Sequence, residues 1–181
     1  MSEELAVLRA VTGRLETTGI PYMVTGSIAL NYYAVPRMTR DIDVVVELSR
    51  DDTERVWDLF HDDFYLDREA VRRAIGVKGA FNLIHSAWVV KVDFVVRKDT
   101  EYRRTEFARR RRASVEGQEF FVVAPEDLVI SKLDWARDTR SEIQLGDVRN
   151  LLASVADLDR DYLAGWVARL GLEVLYREVG G

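Results

Sequence analysis

Two acidic residues stand at the head of a β-branched run, Asp41-Ile42-Asp43-Val44-Val45-Val46. Isoleucine and valine favour extended backbone, so Asp41 to Glu47 reads as a strand. Alternate side chains of a strand point to opposite faces. Asp41 and Asp43 therefore share one face, while Ile42, Val44 and Val46 share the other and pack inward. Two carboxylates so placed repel each other unless positive charge lies between them. A hard divalent cation meets that need, because Mg²⁺ takes a few carboxylates and completes its shell with phosphate oxygens.

A later segment repeats the pattern. Ala80 to His85 and Trp88 to Val96 read as two strands, with Ser86-Ala87 as the hairpin turn between them. In the second, Val90, Val92, Phe94 and Val96 take one face, and Lys91, Asp93 and Val95 take the other. If this strand neighbours the first, Asp93 joins the acidic pair from the side. Three carboxylates around two metals roughly 3.5–4 Å apart make a clamp for in-line phosphoryl or nucleotidyl transfer. Asp93 is then the base for an attacking hydroxyl, or a ligand of the metal that activates it.

Upstream, Tyr22 to Thr25 reads as a short strand running into Gly26-Ser27. Glycine lets backbone approach a ligand closely. Ser27 is placed to cap a helix over Ile28 to Tyr33, and a helix N-terminus suits phosphate. Pro36 limits that helix. Arg37 and Arg40 flank the acids and are candidates to neutralise phosphate charge.

Gly26-Ser27, then Pro36-Arg37-Met38-Thr39-Arg40-Asp41-Ile42-Asp43, then a lone Asp93, together resemble the polymerase-β-type nucleotidyltransferase superfamily. The Arg-x-Thr-x-Asp-x-Asp form is similar to its bacterial AbiEii-like and minimal nucleotidyltransferase group. So is the stretch from Ala124-Pro125-Glu126-Asp127 to Leu133, with the likeness spanning roughly residues 20–155. The resemblance implies Mg²⁺ or Mn²⁺ at Asp41, Asp43 and Asp93, with an NTP as substrate held by Gly26 and Ser27. It also implies that Lys132 faces the nucleotide, although Leu128, Val129 and Leu133 mark a buried helix face from whose edge Lys132 would otherwise only snorkel. Asp147 lies in a second familiar stretch, Gly146 to Leu152, with a less clear role.

The remaining segments frame this centre. Helices are expected over residues 3–18, 51–60, 101–112, 125–137, 141–154, 159–170 and 171–178. A hairpin turns at Glu116 to Glu119. The whole reads as an α/β (α+β) fold: a mixed nucleotidyltransferase sheet flanked by helices (1–124), followed by a C-terminal helical subdomain packed on it (125–181). No linker marks the seam near Ala124.

Composition narrows the function classes. With no cysteine there is no disulfide framework, thiolate metal site or cysteine nucleophile. A net charge of −5 disfavours a generic DNA-coating role, which rests on a large positive field. Charges interrupt residues 1–20, so no signal-peptide core is read there, and no run is long enough to span a bilayer. The expectation is a cytoplasmic protein without membrane contact. Arg109 to Arg112, with Arg103 and Arg104, reads as a solvated helix face or an RNA patch. His61 and His85 are isolated. Trp57, Trp88, Trp135 and Trp166 read as packing the core or its edges, with base stacking as the alternative.

The leading expectation is transfer of an NMP from an NTP to an acceptor with release of pyrophosphate. The resemblance implies a tRNA end or a protein side chain as acceptor, within a toxin–antitoxin or phage-defence pair that would include an antitoxin partner. One alternative is antibiotic inactivation of the aminoglycoside or lincosamide kind. The other is a non-catalytic nucleotide-binding module, against which the retention of all three acids argues.

Overall fold

The two acidic strands form adjacent, parallel rows. β2 (Asp41–Val46) lies beside β5 (Lys91–Val96) in the computed structural model, which describes residues 2–180. Their register pairs Ile42 with Val92, Val44 with Phe94 and Val46 with Val96, and all six are buried. The covered face of both strands is thus one continuous apolar patch. Phe94 has no exposure, and the rings of Phe60 and Phe81 meet it edge-on at 5.7 and 5.2 Å between centroids.

The other strands are β1 (Tyr22–Thr25), β3 (Phe64–Tyr65), β4 (Ala80–His85), β6 (Arg111–Val115) and β7 (Gln118–Val122). They complete a seven-stranded mixed sheet in the order β3-β4-β5-β2-β1-β7-β6. β1 is antiparallel to β2 and parallel to β7. The central position of β2 and β5 suits strands whose apolar face must be fully covered. The helices are α1 (Glu3–Thr17), α2 (Gly26–Tyr33), α3 (Asp52–Phe60), α4 (Arg68–Val77), α5 (Glu101–Ala108), α6 (Pro125–Thr139), α7 (Glu142–Ser154), α8 (Arg160–Arg169) and α9 (Glu173–Glu178). Among the described residues, no helix is long and apolar enough to cross a membrane.

Several boundaries differ from the sequence reading, each for a local reason. α2 begins at Gly26, so Ser27 lies inside its first turn and the cap position falls to Thr25. β5 starts at Lys91 rather than Trp88, because Val89 takes a left-handed conformation (φ 54°) and the chain reverses there. α5 stops at Ala108, four residues short of the expected end, and Arg111 and Arg112 enter β6. Pairing with β7 overrides helical continuation: Ala113, opposite Phe120, is buried on the sheet. The hairpin turns on two residues, Glu116 and Gly117, at φ 48° and 76°, the signs that a tight type I′ turn requires. β3 and α4 were not anticipated. α4 has a clear local signal nonetheless, since the Asp67 side chain accepts from the N–H groups of Glu69 and Ala70.

The arginine run therefore does not form one helix face: Arg109 caps the end of α5, and Arg111 and Arg112 lie in β6. Arg109 pairs with Asp127 and Glu126 at 2.9 and 3.0 Å, and Arg112 with Glu16 at 2.8 Å. The Arg110 guanidinium lies 4.3 Å from the Phe107 ring centre and 5.0 Å from that of Phe121.

Phe94→Ala is expected to cost about 3–5 kcal/mol of unfolding free energy. Urea denaturation should show this as a lower midpoint with an unchanged slope.

Candidate active site

The register that joins the apolar faces also sets the acids. Asp43 stands opposite Asp93, and Asp41 opposite Lys91, on neighbouring strands about 4.8 Å apart. All four side chains lie on the face away from the core. The Lys91 ammonium is 2.8 Å from Asp93 Oδ2 and 3.8 Å from Asp41 Oδ2. Burial pushes the Asp43 carboxyl above the usual carboxylate range, and the charges of Asp93 and Asp41 push it further; Lys132 and Lys91 oppose them.

Gly26 packs directly against this centre. Thr25 pairs with Asp43 across β1 and β2, and Gly26 follows with φ +61°. A Cβ on Gly26 would lie 1.9 Å from Asp43 Oδ2, so no larger residue fits there. No side chain caps α2, which leaves its first-turn N–H groups to solvent or to a ligand.

Two cations sit beside that turn, and one carboxylate holds both. Arg37 donates from Nε and Nη2 to the two oxygens of Asp147, each at 2.9 Å, and from Nη2 to Ser27 Oγ at 2.7 Å. Lys132 Nζ donates to Asp147 Oδ2 at 2.8 Å and to Gln144 Oε1 at 3.2 Å. Lys132 and Asp147 are each only 4% exposed, so Lys132 is a buried ion-pair partner rather than a snorkelling edge residue. Burial alone would raise the Asp147 carboxyl; the bonds from Arg37 and Lys132 outweigh it and hold the group below its ordinary range. Asn31 fixes the Arg37 backbone by two further hydrogen bonds, each 2.9 Å.

A cleft of 520 Å³ opens from this point. Gly26, Ser27, Asp43, Lys132 and Gln144 line it, Val45 and Val95 contribute apolar surface, and Lys98 and Trp135 border it. Trp135 is 67% exposed, so it does not pack the core. Arg40 is exposed at the entrance to β2; like Arg37, Asp41 and Asp93 it lies outside the cleft lining, to which Asp43 alone of the three acids contributes. The structure thus groups Asp41, Asp43 and Asp93 on one face, Gly26 and Ser27 beside them, and Lys132 and Arg37 behind. Lys91, Asn31 and Gln144 were not singled out from sequence. Lys91 carried a signal, since it stands two residues before Asp93 and so shares its face.

The donor set on this face is carboxylate oxygen, which fits a hard cation such as Mg²⁺ or Mn²⁺. The raised Asp43 carboxyl is what an adjacent cation would relieve. Among the described residues, no three acidic or histidine side chains converge closely enough to hold an ion as they stand. Asp93 is turned to Lys91 instead.

No protein-family model matches the chain, and no curated protein matches it. Solved structures do. The antibiotic-resistance factor ANT(2″)-Ia is similar over 95% of each chain, with a TM-score of 0.60 and 11% identity. The lincosamide antibiotic adenylyltransferase LnuA, with lincomycin bound, matches with a TM-score of 0.56 and 11% identity, over 86% of this chain and 98% of its own. An antigenic nucleotidyltransferase-like protein from Paracoccidioides brasiliensis matches with a TM-score of 0.57 and 16% identity, over 97% and 93%. The mixed sheet flanked by helices is therefore a nucleotidyltransferase fold.

Asp147→Asn should destabilise the protein at neutral pH by about 3 kcal/mol, since it leaves buried Lys132 without its counter-charge. The Asp147 carboxyl is lowered in the folded state, so its contribution is present above the unfolded carboxylate pKa and is lost as pH falls through the folded one. The gap between wild type and variant, read by urea denaturation across pH, should close only in strong acid.

Proposed function

We propose that the chain transfers a nucleoside monophosphate from an NTP to an acceptor hydroxyl, with release of pyrophosphate. The observation that carries this reading is Asp43 in register with Asp93 on adjacent parallel strands, with Asp41 on the same face. The shared fold with nucleotidyltransferases supports it.

Asp41, Asp43 and Asp93 would hold Mg²⁺ or Mn²⁺. When bound, such ions supply Lewis-acid polarisation of the transferred phosphoryl group and a lower pKa at the attacking hydroxyl. The chain's own residues do the rest. The uncapped first turn of α2 offers its N–H groups to phosphate oxygens, and Gly26 keeps that approach open. Ser27 Oγ adds a polar contact. Lys132 and Arg37, already placed by Asp147, counter phosphate charge without reorganising. An Asp93 carboxylate oxygen takes the acceptor's proton as the new O–P bond forms and the bond from the α-phosphorus to the bridging oxygen breaks. Arg40, outside the cleft, would act only on phosphate that extends towards β2.

For the acceptor, a small polar molecule is favoured by two similar structures, which are of antibiotic-modifying or antibiotic-resistance proteins. A second reading keeps the acceptor implied by the AbiEii-like resemblance, a tRNA end or a protein side chain, with an antitoxin as partner. Exposed Lys98 and Trp135 at the open side favour it, as a cation and a stacking surface for single-stranded nucleic acid.

Each α-labelled NTP, with Mg²⁺ and a panel of total tRNA, cell lysate and aminoglycoside and lincosamide drugs, tests both. Label should enter one acceptor class, and Asp43→Asn should reduce the rate by about two to three orders of magnitude, the equivalent of several kcal/mol. Nucleotide binding without transfer to any member of the panel would favour the binding module instead.

A further inference from the structure

We infer that Lys91 is a counter-cation built into the acidic face, so that its pairing with Asp93 and the binding of a divalent cation there exclude each other. The inference rests on the reading of Asp41, Asp43 and Asp93 as the metal-holding set, and it concerns what that set does before metal arrives.

The two lysines of the site are held in opposite ways. Lys132 is buried, and both of its partners, Asp147 and Gln144, belong to one helix that packs on its own. Lys91 is half-exposed, with 38% of its side chain open to solvent, and its ion-pair partners are Asp93 and Asp41. It starts from β5 itself, opposite Asp41 and two residues before Asp93, so its stem reaches Asp93 along the strand and Asp41 across to β2. Its ammonium lies against Asp93 Oδ2, on a carboxylate that would hold metal at this set. Two cations cannot share that oxygen at contact distance without strong repulsion.

Displacement is nonetheless easy. A half-exposed ion pair contributes little, and a lysine stem swings into solvent at small cost. A divalent cation therefore wins the competition, but against a standing occupant. The other polar groups on this patch do not replace Lys91. Asn82 on β4, opposite Asp93, is exposed and neutral, and Asp43 adds only negative charge. Without Lys91, the cations still near Asp43 are Lys132 and Arg37, and Asp147 already engages both. Lys91 thus holds the acidic face together in the metal-free protein and sets how tightly metal binds.

Mn²⁺ titration of the full chain, followed by the electron paramagnetic resonance of free Mn²⁺, reads this directly. Lys91→Met should bind about tenfold more tightly than wild type, on the order expected for removing one adjacent like charge. Lys91→Gln should behave likewise, and serves if the methionine variant folds poorly. Lys91→Arg, which keeps the charge, and Arg55→Met, which removes an equal charge on α3, should stay within about twofold of wild type. In thermal melts with chelator, Lys91→Met should unfold at a lower temperature than wild type and gain more from added Mn²⁺. Unchanged or weaker Mn²⁺ binding by both neutral variants, with wild-type binding still dependent on Asp43, would overturn the role of Lys91 alone. Wild-type binding that Asp43→Asn leaves intact would overturn the metal set, and this inference with it.

Discussion

The arrangement of the site follows from crowding like charges on one face of a sheet whose other face must stay apolar. β2 and β5 meet both demands through one register. Pairing Val44 with Phe94 closes the core, and the same alignment sets Asp43 against Asp93. A slip of one residue would turn the acids inward and the valines outward. The core therefore enforces the acidic face: the free energy of burying Ile42, Val44, Val46, Val92, Phe94 and Val96 holds the carboxylates together against their own repulsion.

That repulsion is balanced from two sides without any ligand. Lys91 meets Asp93 and Asp41 from the strand, and Lys132 acts on Asp43 from the helix behind. The opposite problem, two cations beside an uncapped helix turn, is solved by Asp147, which binds Arg37 and Lys132 together. Where the substrate would bring phosphate, a carboxylate already engages the cations. Where it would come with metal, an ammonium already engages the carboxylates. The site thus carries ion pairs of both kinds at rest, an ammonium on the acidic face and a carboxylate between the two cations.

Much of this was legible in the sequence because it depended on period-two alternation. The faces of β2 and β5, the acids on them and the glycine after β1 follow from spacing alone. What was not legible depended on tertiary pairing. The helical pattern through Arg112 was overridden when Ala113 found Phe120 across a hairpin; the turn of that hairpin was legible, but not how far its first strand reached back. Ser27 reads as a helix cap by type, yet α2 starts at Gly26, two residues before the expected Ile28, and the cap position falls to Thr25. Asp147 carried no sequence sign of its partners, since Arg37 lies 110 positions away. Lys91 was visible on the right face, but its engagement with Asp93 is a matter of rotamer, not of pattern.

The most direct test is a crystal structure of the chain with Mn²⁺ and a non-hydrolysable NTP, with manganese located by its anomalous signal. Manganese between Asp43 and Asp93, with the triphosphate against Gly26 and Ser27 and Lys91 swung away from Asp93, is the result predicted. Nucleotide bound elsewhere, or manganese absent from the Asp41, Asp43 and Asp93 face, would contradict the assignment of this face as the centre of nucleotidyl transfer.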